Sequence, residues 1–261
     1  MAGNKGTALI TGASSGIGAT YADRLAKRGL DLVLVARNEK RLKALANRLR
    51  SETGVSVSIF PADLTDDTDV LHVEIRLAAS DITVLVNSAG MSLNGSLLQN
   101  GTFEISQIIN LNVCAVARLA AAAAKAFSVR GGGSIINVSS AMALAPEIYD
   151  GIYSGTKAFV LNLSQAMSAH FSEMGIYTQA VLPGVIKSEL WKTAGQDLNH
   201  FPPEIVMTVD DVVDSALKGF DRRETVTIPF LECAEHWEIF EKTRTSLSKY
   251  IYCNQPASRY L

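Results

Sequence analysis

The sequence is short of the residues that mark several protein classes. It has three cysteines, Cys114, Cys233 and Cys253, odd in number and far apart. That spacing fits neither a disulfide framework nor a zinc site, and it suits a reducing compartment with free, mostly buried thiols. The four histidines, His72, His170, His200 and His236, stand alone, without partners at metal-ligand spacing, so no metal is expected. Net charge is only −2, so the chain lacks the basic excess of a nucleic-acid binder. No apolar run reaches the ~18 residues of a membrane helix. The longest candidate, Leu111 to Phe127, is interrupted by Asn112, Arg118 and Lys125. A strand signal begins within the first ten residues, so no signal peptide is expected. These absences point to a cytoplasmic protein with no nucleic-acid or membrane partner.

What is present is a core and a pattern. At 261 residues and 48% hydrophobic, the chain is large enough to bury a substantial core as one domain, 1–261. Strand and helix signals alternate. Strands are expected at Thr7–Ile10, Asp31–Ala36, Val55–Phe60, Ile82–Val86, Ser134–Val138, Ile176–Leu182 and Thr225–Ile228. Helices are expected between them, including a long one from about Phe103 to Val129 and another over Tyr153–Met174. Asp31–Ala36 is nearly all apolar, as in a parallel strand buried on both faces. The alternation predicts an α/β fold of the Rossmann type, a single doubly wound, mostly parallel sheet flanked by helices. The last residues, about 230–261, lose the alternation and read as a helical extension.

Chemistry gathers where strands are expected to end. The run Thr11-Gly12-Ala13-Ser14-Ser15-Gly16-Ile17-Gly18 joins the first strand to a helix. Its glycines allow a tight turn and a close backbone approach, and the N–H groups of a helix start suit a pyrophosphate. Arg37-Asn38 follows the second strand, where a carboxylate would hold the ribose of NAD and an arginine accommodates a 2′-phosphate. With no carboxylate there, the cofactor expected is NADP(H). Tyr153 and Lys157 stand at i and i+4 and share a helix face, with Ser140 at the end of the preceding strand. A free tyrosine has a pKa near ~10, and a neighbouring ammonium lowers it toward a useful proton shuttle.

Taken together, these motifs resemble the short-chain dehydrogenase/reductase family over about residues 7 to 230. The carrying motifs are TGxxxGIG at Thr11–Gly18, Asp63-Leu64, Asn87-Ser88-Ala89-Gly90, Asn112 in Asn110-Leu111-Asn112-Val113, Tyr153-x-x-x-Lys157 and Pro183-Gly184. The resemblance implies hydride transfer between a nicotinamide cofactor and a carbonyl or alcohol. Tyr153 is then the acid/base, Ser140 orients the carbonyl, and Lys157 tunes Tyr153 and holds the nicotinamide ribose. Asn112 binds a water toward Lys157. The implied cofactor contacts are Gly12, Ser14, Ser15, Gly16, Ile17, Gly18, Arg37, Asn38, Asp63, Leu64, Asn87, Ala89, Gly90, Tyr153, Lys157, Pro183, Gly184, Ile186 and Ser188. The departures are Ser88 for a second asparagine, expected to weaken local strand pairing slightly, and Ser188 for threonine, which keeps the hydroxyl.

The resemblance further implies a substrate lid over about 187–208. Met91, Leu93, Met142, Leu144, Leu190, Trp191 and Phe201 are expected to make an apolar pocket for a neutral ketone, aldehyde or secondary alcohol. A 3-oxoacyl thioester, which would need a basic surface for its carrier, is the close alternative. A non-catalytic dinucleotide-binding regulator is the alternative from a different class, and such proteins usually lose the Tyr or the Lys. The small side chains at Ala115, Ala117, Ala120–Ala124 and Ala126 suit a close helix–helix contact, and the family's habit implies a homodimer or homotetramer.

Overall fold

The computed structural model describes residues 6–93, 95, 97–148, 151–187 and 201–261. Seven strands form one sheet in the order β3-β2-β1-β4-β5-β6-β7. They are β1 (Thr7–Thr11), β2 (Asp31–Ala36), β3 (Val57–Pro61), β4 (Ile82–Asn87), β5 (Gly133–Val138), β6 (Ile176–Val181) and β7 (Val226–Thr227). Every pairing among them is parallel, where the sequence pattern predicted a mostly parallel sheet. The order reverses at β1, with β2 on one side and β4 on the other, which opens a crevice at the carboxyl ends of these strands.

Helices cover both faces because the strand side chains alternate between them. Ala8 and Ile10 of β1 share a core with Tyr21, Leu25, Leu42 and Leu49 from α1 (Gly16–Lys27) and α2 (Glu39–Thr53), and with Val213 and Leu217 from α7 (Val209–Asp221). Leu9 points the other way. It packs with Val73 and Leu77 of α3 (Asp67–Leu77), Leu119 and Phe127 of α5 (Val116–Arg130), and Met167 of α6 (Gly151–Phe171). A buried carboxylate ties the first core's helices together. Asp23 accepts from Arg24 at 2.9 Å, Lys27 at 2.7 Å and Arg48 at 2.9 Å. Burial alone would raise its pKa, but these three cations bring it down to about 2. Arg24 also reaches Asp214 of α7 at 2.7 Å, so α1 is braced from two sides.

The long helix expected from Phe103 to Val129 is interrupted. It runs as α4 (Thr102–Ile109), a π-helical turn (Asn110–Ala115) and then α5. One extra residue per turn leaves the apolar pattern nearly intact, so hydropathy does not reveal it. Thr102–Arg130 is also, among the described residues, the one helix long and apolar enough to cross a membrane, with mean hydropathy 1.4 in its most apolar window. The scattered polar residues that interrupt the run are outweighed by its alanines. Leu119, Ala120, Ala123 and Phe127 of this helix are buried in the sheet's second core, and about a third of that apolar window is buried in all.

The cysteines depart from expectation. All three are free and exposed. Cys114 faces outward from the π-helical turn, and Cys233 and Cys253 lie in a stretch in which no residue is buried. The chain divides into two compact units, Met1–Pro229 and Phe230–Leu261. The second holds α8 (Ala234–Ser246) and a 3-10 turn over Leu247–Tyr250.

Candidate active site

The end of β1 and the start of α1 build a backbone cradle. Gly12 has φ +66°, and a Cβ there would lie 2.9 Å from the backbone of Ala89. A Cβ on Gly18 would lie 2.4 Å from the Gly12 carbonyl oxygen, so α1 can approach the turn only without one. Gly16 differs: its φ is +52°, and a Cβ would meet nothing within 4 Å. Its missing side chain leaves open space in front of the helix. Ser15 is extended at the N-cap, makes no capping bond with its side chain, and no acid follows in the first turn. The unpaired N–H groups of Gly16, Ile17 and Gly18 therefore keep their positive field for an anion. Thr11 secures the crevice. Its Oγ1 accepts from the N–H groups of Ser88 and Ala89, both at 3.0 Å. Ser88 is thus tied by its main chain, which needs no side-chain amide. Ser14 flanks the turn, partly exposed.

At the next strand ends, Arg37 holds a guanidinium that is three-quarters exposed, 3.8 Å from the Asp63 carboxylate. Asp63 accepts from the N–H and hydroxyl of Thr65 at 3.0 and 2.8 Å. Burial opposes its charge, yet these bonds and Arg37 hold it below the usual carboxylate range. Leu64 is buried in the second core. Asn38 acts locally and caps α2, its side-chain oxygen accepting from Arg41 N–H at 3.0 Å. An exposed cation beside an open glycine cradle, with no carboxylate on its own strand end, fits a dinucleotide that carries an extra phosphate.

Across the crevice the groups are side chains. Lys157 and Tyr153 share the inner face of α6, 7% and 9% exposed, with Nζ 5.7 Å from the tyrosine ring centre. Lys157 Nζ donates to the Val138 carbonyl at 3.1 Å. Burial draws its pKa from 10.5 down to about 8, which leaves it mostly charged at neutral pH. Ser139 Oγ donates to the Lys157 carbonyl at 2.7 Å and so pins α6 to the end of β5. Ser140 is extended and buried, and its Oγ accepts from Met142 N–H at 3.2 Å.

Asn112 sits in the π-helical turn, 1% exposed, and clamps a neighbouring loop. Its Oδ1 accepts from Met91 N–H at 2.9 Å, and its Nδ2 donates to Met91 O at 2.8 Å and Thr156 Oγ1 at 3.1 Å. With the amide engaged this way, a bound water would have to use the turn's main chain. Gly90 fits between: a Cβ there would lie 3.3 Å from Asn112 Oδ1 and 3.5 Å from Lys157 Nζ. Asn87 is buried and donates to Asn137 Oδ1 at 2.9 Å, and Asn137 donates to Ser164 Oγ of α6 at 2.9 Å. This amide chain links β4, β5 and α6. Thr156, Asn137 and Ser164 escaped sequence reasoning because none carries chemistry, and Thr11 and Ser139 were read only as parts of their motifs. All five hold in place the residues that do carry it.

Beyond β6, Pro183 O accepts from Ala141 N–H at 2.8 Å, next to Gly184. Ile186 is buried and bridges Met207, with Lys187 N–H to Met207 O and Met207 N–H to Val185 O both at 2.9 Å. The base of the expected lid is thereby closed. Ser188, Leu190, Trp191 and most of that lid lie outside the described residues. Around Tyr153 the wall is apolar: Leu93 and Ile108 are buried, with Met91, Met142 and Ile152 packed against them. Leu144 is not part of that group. Two open depressions of about 440 and 490 Å³ lie instead at the amino ends of the strands, beside Gly132 and Gly54, away from these groups.

A glycine cradle at the switch point of a parallel sheet, facing a buried Tyr–Lys pair, is the arrangement of a dinucleotide-dependent oxidoreductase. The chain belongs to the short-chain dehydrogenase family, whose model matches residues 6–199. It is similar to a short-chain dehydrogenase from Sphingobium yanoikuyae solved in complex with NADPH. The two share 51% identity over 98% of this chain and 100% of that one, with a TM-score of 0.95. The bulky-bulky ketone specific alcohol dehydrogenase from Comamonas testosteroni shares 46% identity over 99% of each chain, with a TM-score of 0.91. Human 17-beta-hydroxysteroid dehydrogenase type 3 is 34% identical over 212 residues, 80% of this chain. The chain covers 66% of that human relative's length.

Proposed function

We propose that this chain is an NADP(H)-dependent oxidoreductase that interconverts a neutral, bulky, apolar ketone and its secondary alcohol. The observation that carries the reading is the buried Lys157 ammonium, 5.7 Å from the Tyr153 ring and backed by the Val138 carbonyl. The cradle at Gly12–Gly18 and the Arg37 guanidinium would hold the pyrophosphate and the 2′-phosphate. When bound, the cofactor supplies or accepts the hydride.

The chain's own groups handle the proton and the geometry. The Tyr153 hydroxyl gives a proton to the carbonyl oxygen in reduction and recovers it in oxidation. Lys157 favours the phenolate form and makes that transfer possible near neutral pH. The Ser140 hydroxyl, oriented by Met142 N–H, hydrogen-bonds the same oxygen. Asn112 holds the Met91 loop, and with it the apolar wall against which the ketone's substituents rest. Met91, Leu93, Met142 and Ile152 offer that wall no cation, so it suits a neutral substrate rather than a carboxylate or phosphate. The bulky-ketone specificity in the name of the Comamonas protein supports the same class. The small residues of α5 support a homo-oligomer, and the three free, exposed thiols support residence in a reducing compartment such as the cytoplasm.

The test is a panel of bulky aryl ketones, small ketones and 3-oxoacyl thioesters, followed with NADPH and NADH by absorbance of the reduced nicotinamide. Bulky neutral ketones should turn over with NADPH. Arg37→Ala should cut the preference for NADPH over NADH about 10–100-fold, the ~1.5–3 kcal/mol of a charge-assisted hydrogen bond. Turnover of the thioesters alone, or equal use of NADH by the unaltered chain, overturns the reading.

A further inference from the structure

Two buried hydroxyls of α6 make the same pair of bonds. Thr156 Oγ1 donates to the Tyr153 carbonyl at 2.8 Å and accepts from Asn112 Nδ2 at 3.1 Å. Ser164 Oγ donates to the Val160 carbonyl at 2.7 Å and accepts from Asn137 Nδ2 at 2.9 Å. A hydroxyl has one proton to give. In each case a carbonyl of its own helix takes it, so the oxygen is left as an acceptor for an amide from another element. The local chemistry is matched, but the two amides lead to different places.

Behind Ser164 lies the sheet. Asn137 is in β5, and its Oδ1 accepts from Asn87 at the end of β4. Behind Thr156 lies a loop. Asn112 grips the main chain of Met91 twice, its Oδ1 accepting from the N–H at 2.9 Å and its Nδ2 donating to the carbonyl at 2.8 Å. The Met91 side chain belongs to the apolar wall around Tyr153, with Leu93 and Ile108. Asn112 Nδ2 has two hydrogens, one for Met91 and one for Thr156, so the amide is fully used. Without the Thr156 hydroxyl, Asn112 keeps its grip on Met91 only by leaving a buried N–H unpaired. That penalty exceeds the net value of an ordinary hydrogen bond, so the amide is driven to shift and the grip loosens. The proton-transfer groups do not depend on this link. Lys157 Nζ is held by the Val138 carbonyl, and Ser139 Oγ holds the Lys157 carbonyl.

We propose that Thr156 is a positioning residue that fixes the substrate wall through Asn112 and Met91, and so sets the preference for bulky over small ketones. The choice of substrates rests on the ketone reading; the chain of contacts does not. The test compares Thr156→Val, which keeps the shape and removes the hydroxyl, with Ser164→Ala, which removes the matched hydroxyl away from the loop. Both should lower the urea midpoint. Only Thr156→Val should raise KM for a bulky ketone, by about 5–10-fold for one buried hydrogen bond. Its kcat, its KM for a small ketone and its NADPH dissociation constant should each change less than about twofold, as expected when only ground-state contacts to the bulky substituents are lost. Thr156→Ser should restore the bulky-ketone KM. A second readout needs no substrate. Amide hydrogen exchange at Met91, taken relative to Val86 in β4, should quicken about tenfold in Thr156→Val and stay at the level of the unaltered chain in Thr156→Ser and Ser164→Ala. Where Thr156→Val does not fold, Thr156→Ala carries the same comparisons. Equal Met91 exchange in the unaltered chain and the Thr156 variant overturns the proposal. So does a KM rise shared by small and bulky ketones, or a fall in kcat in place of a rise in KM. If the unaltered chain reduces no bulky ketone, the ketone reading falls by itself, and Met91 exchange still decides the role of Thr156.

Discussion

The two sides of the crevice are made of different material. On the β1–β2 side the ligand-facing groups are backbone N–H groups, exposed by glycines at 12, 16 and 18, with the largely exposed Arg37 beyond them. On the β4–β5–α6 side they are buried side chains, Tyr153, Lys157, Ser140 and Asn112, each 9% exposed or less. An anion held by backbone needs space and correct dihedrals, and almost any added atom spoils it. A proton held by side chains needs low dielectric and fixed partners, and it is spoiled by removing one atom from the pair. The difference teaches that binding and proton transfer can be damaged separately in this molecule.

The largest expected effect falls on the side-chain half. Tyr153→Phe removes only the hydroxyl. It should lower ketone turnover by about 10²–10⁴, the usual share of a general acid, while the NADPH dissociation constant changes less than about threefold in a fluorescence titration. Near-normal turnover in this variant would erase the contrast between the two sides. The mirror-image change is Gly18→Ala, which adds one carbon 2.4 Å from the Gly12 carbonyl oxygen. Relieving that overlap should cost about 1–3 kcal/mol of stability in urea unfolding. It should also weaken NADPH binding while leaving the Tyr153–Lys157 geometry intact. If cofactor affinity stays unchanged, the cradle is not where the phosphates sit.

The smallest effect sharpens the electrostatic half of the comparison. Lys157 releases its proton at about 8 in the folded chain and near 10.5 when unfolded. Between those values the unfolded chain carries a proton that the folded one has lost, so stability rises with pH across the window. The rise is bounded by about 1.4 kcal/mol per pH unit. Urea unfolding of the cofactor-free protein from pH 8 to 10 should show it, and Lys157→Met should remove it. A flat difference between the two proteins would mean that Lys157 is better solvated than its surroundings indicate.

Much of the fold was legible because its signals are local. The apolar run Asp31–Ala36 became β2 with the same bounds, and the glycine turn lies between β1 and α1 as its spacing implied. Other features were hidden because they depend on contacts distant in sequence. The π-helical turn that aims Asn112 leaves no trace in hydropathy. Asn38, beside the candidate phosphate arginine, turned out to cap α2, a role the same spacing could equally announce. The cysteines were expected inside on the habits of their residue type, but Cys114 sits on the outer side of its helix and the other two lie where no core exists. Asn137 and Ser164 are 27 residues apart and meet only because α6 lies against β5.

Chain-local geometry set the strand segments, the helix start with its free N–H groups, and the one-turn separation that puts Tyr153 and Lys157 on a common face. These follow from dihedral limits and periodicity, which act over a few residues. Packing alone decided the environment of that pair. The Val138 carbonyl, nineteen residues upstream, became the partner of Lys157, and the surrounding helices excluded the water that would otherwise keep the ammonium at its ordinary pKa. Desolvation is a property of everything that closes around a group, and no short stretch of sequence contains it.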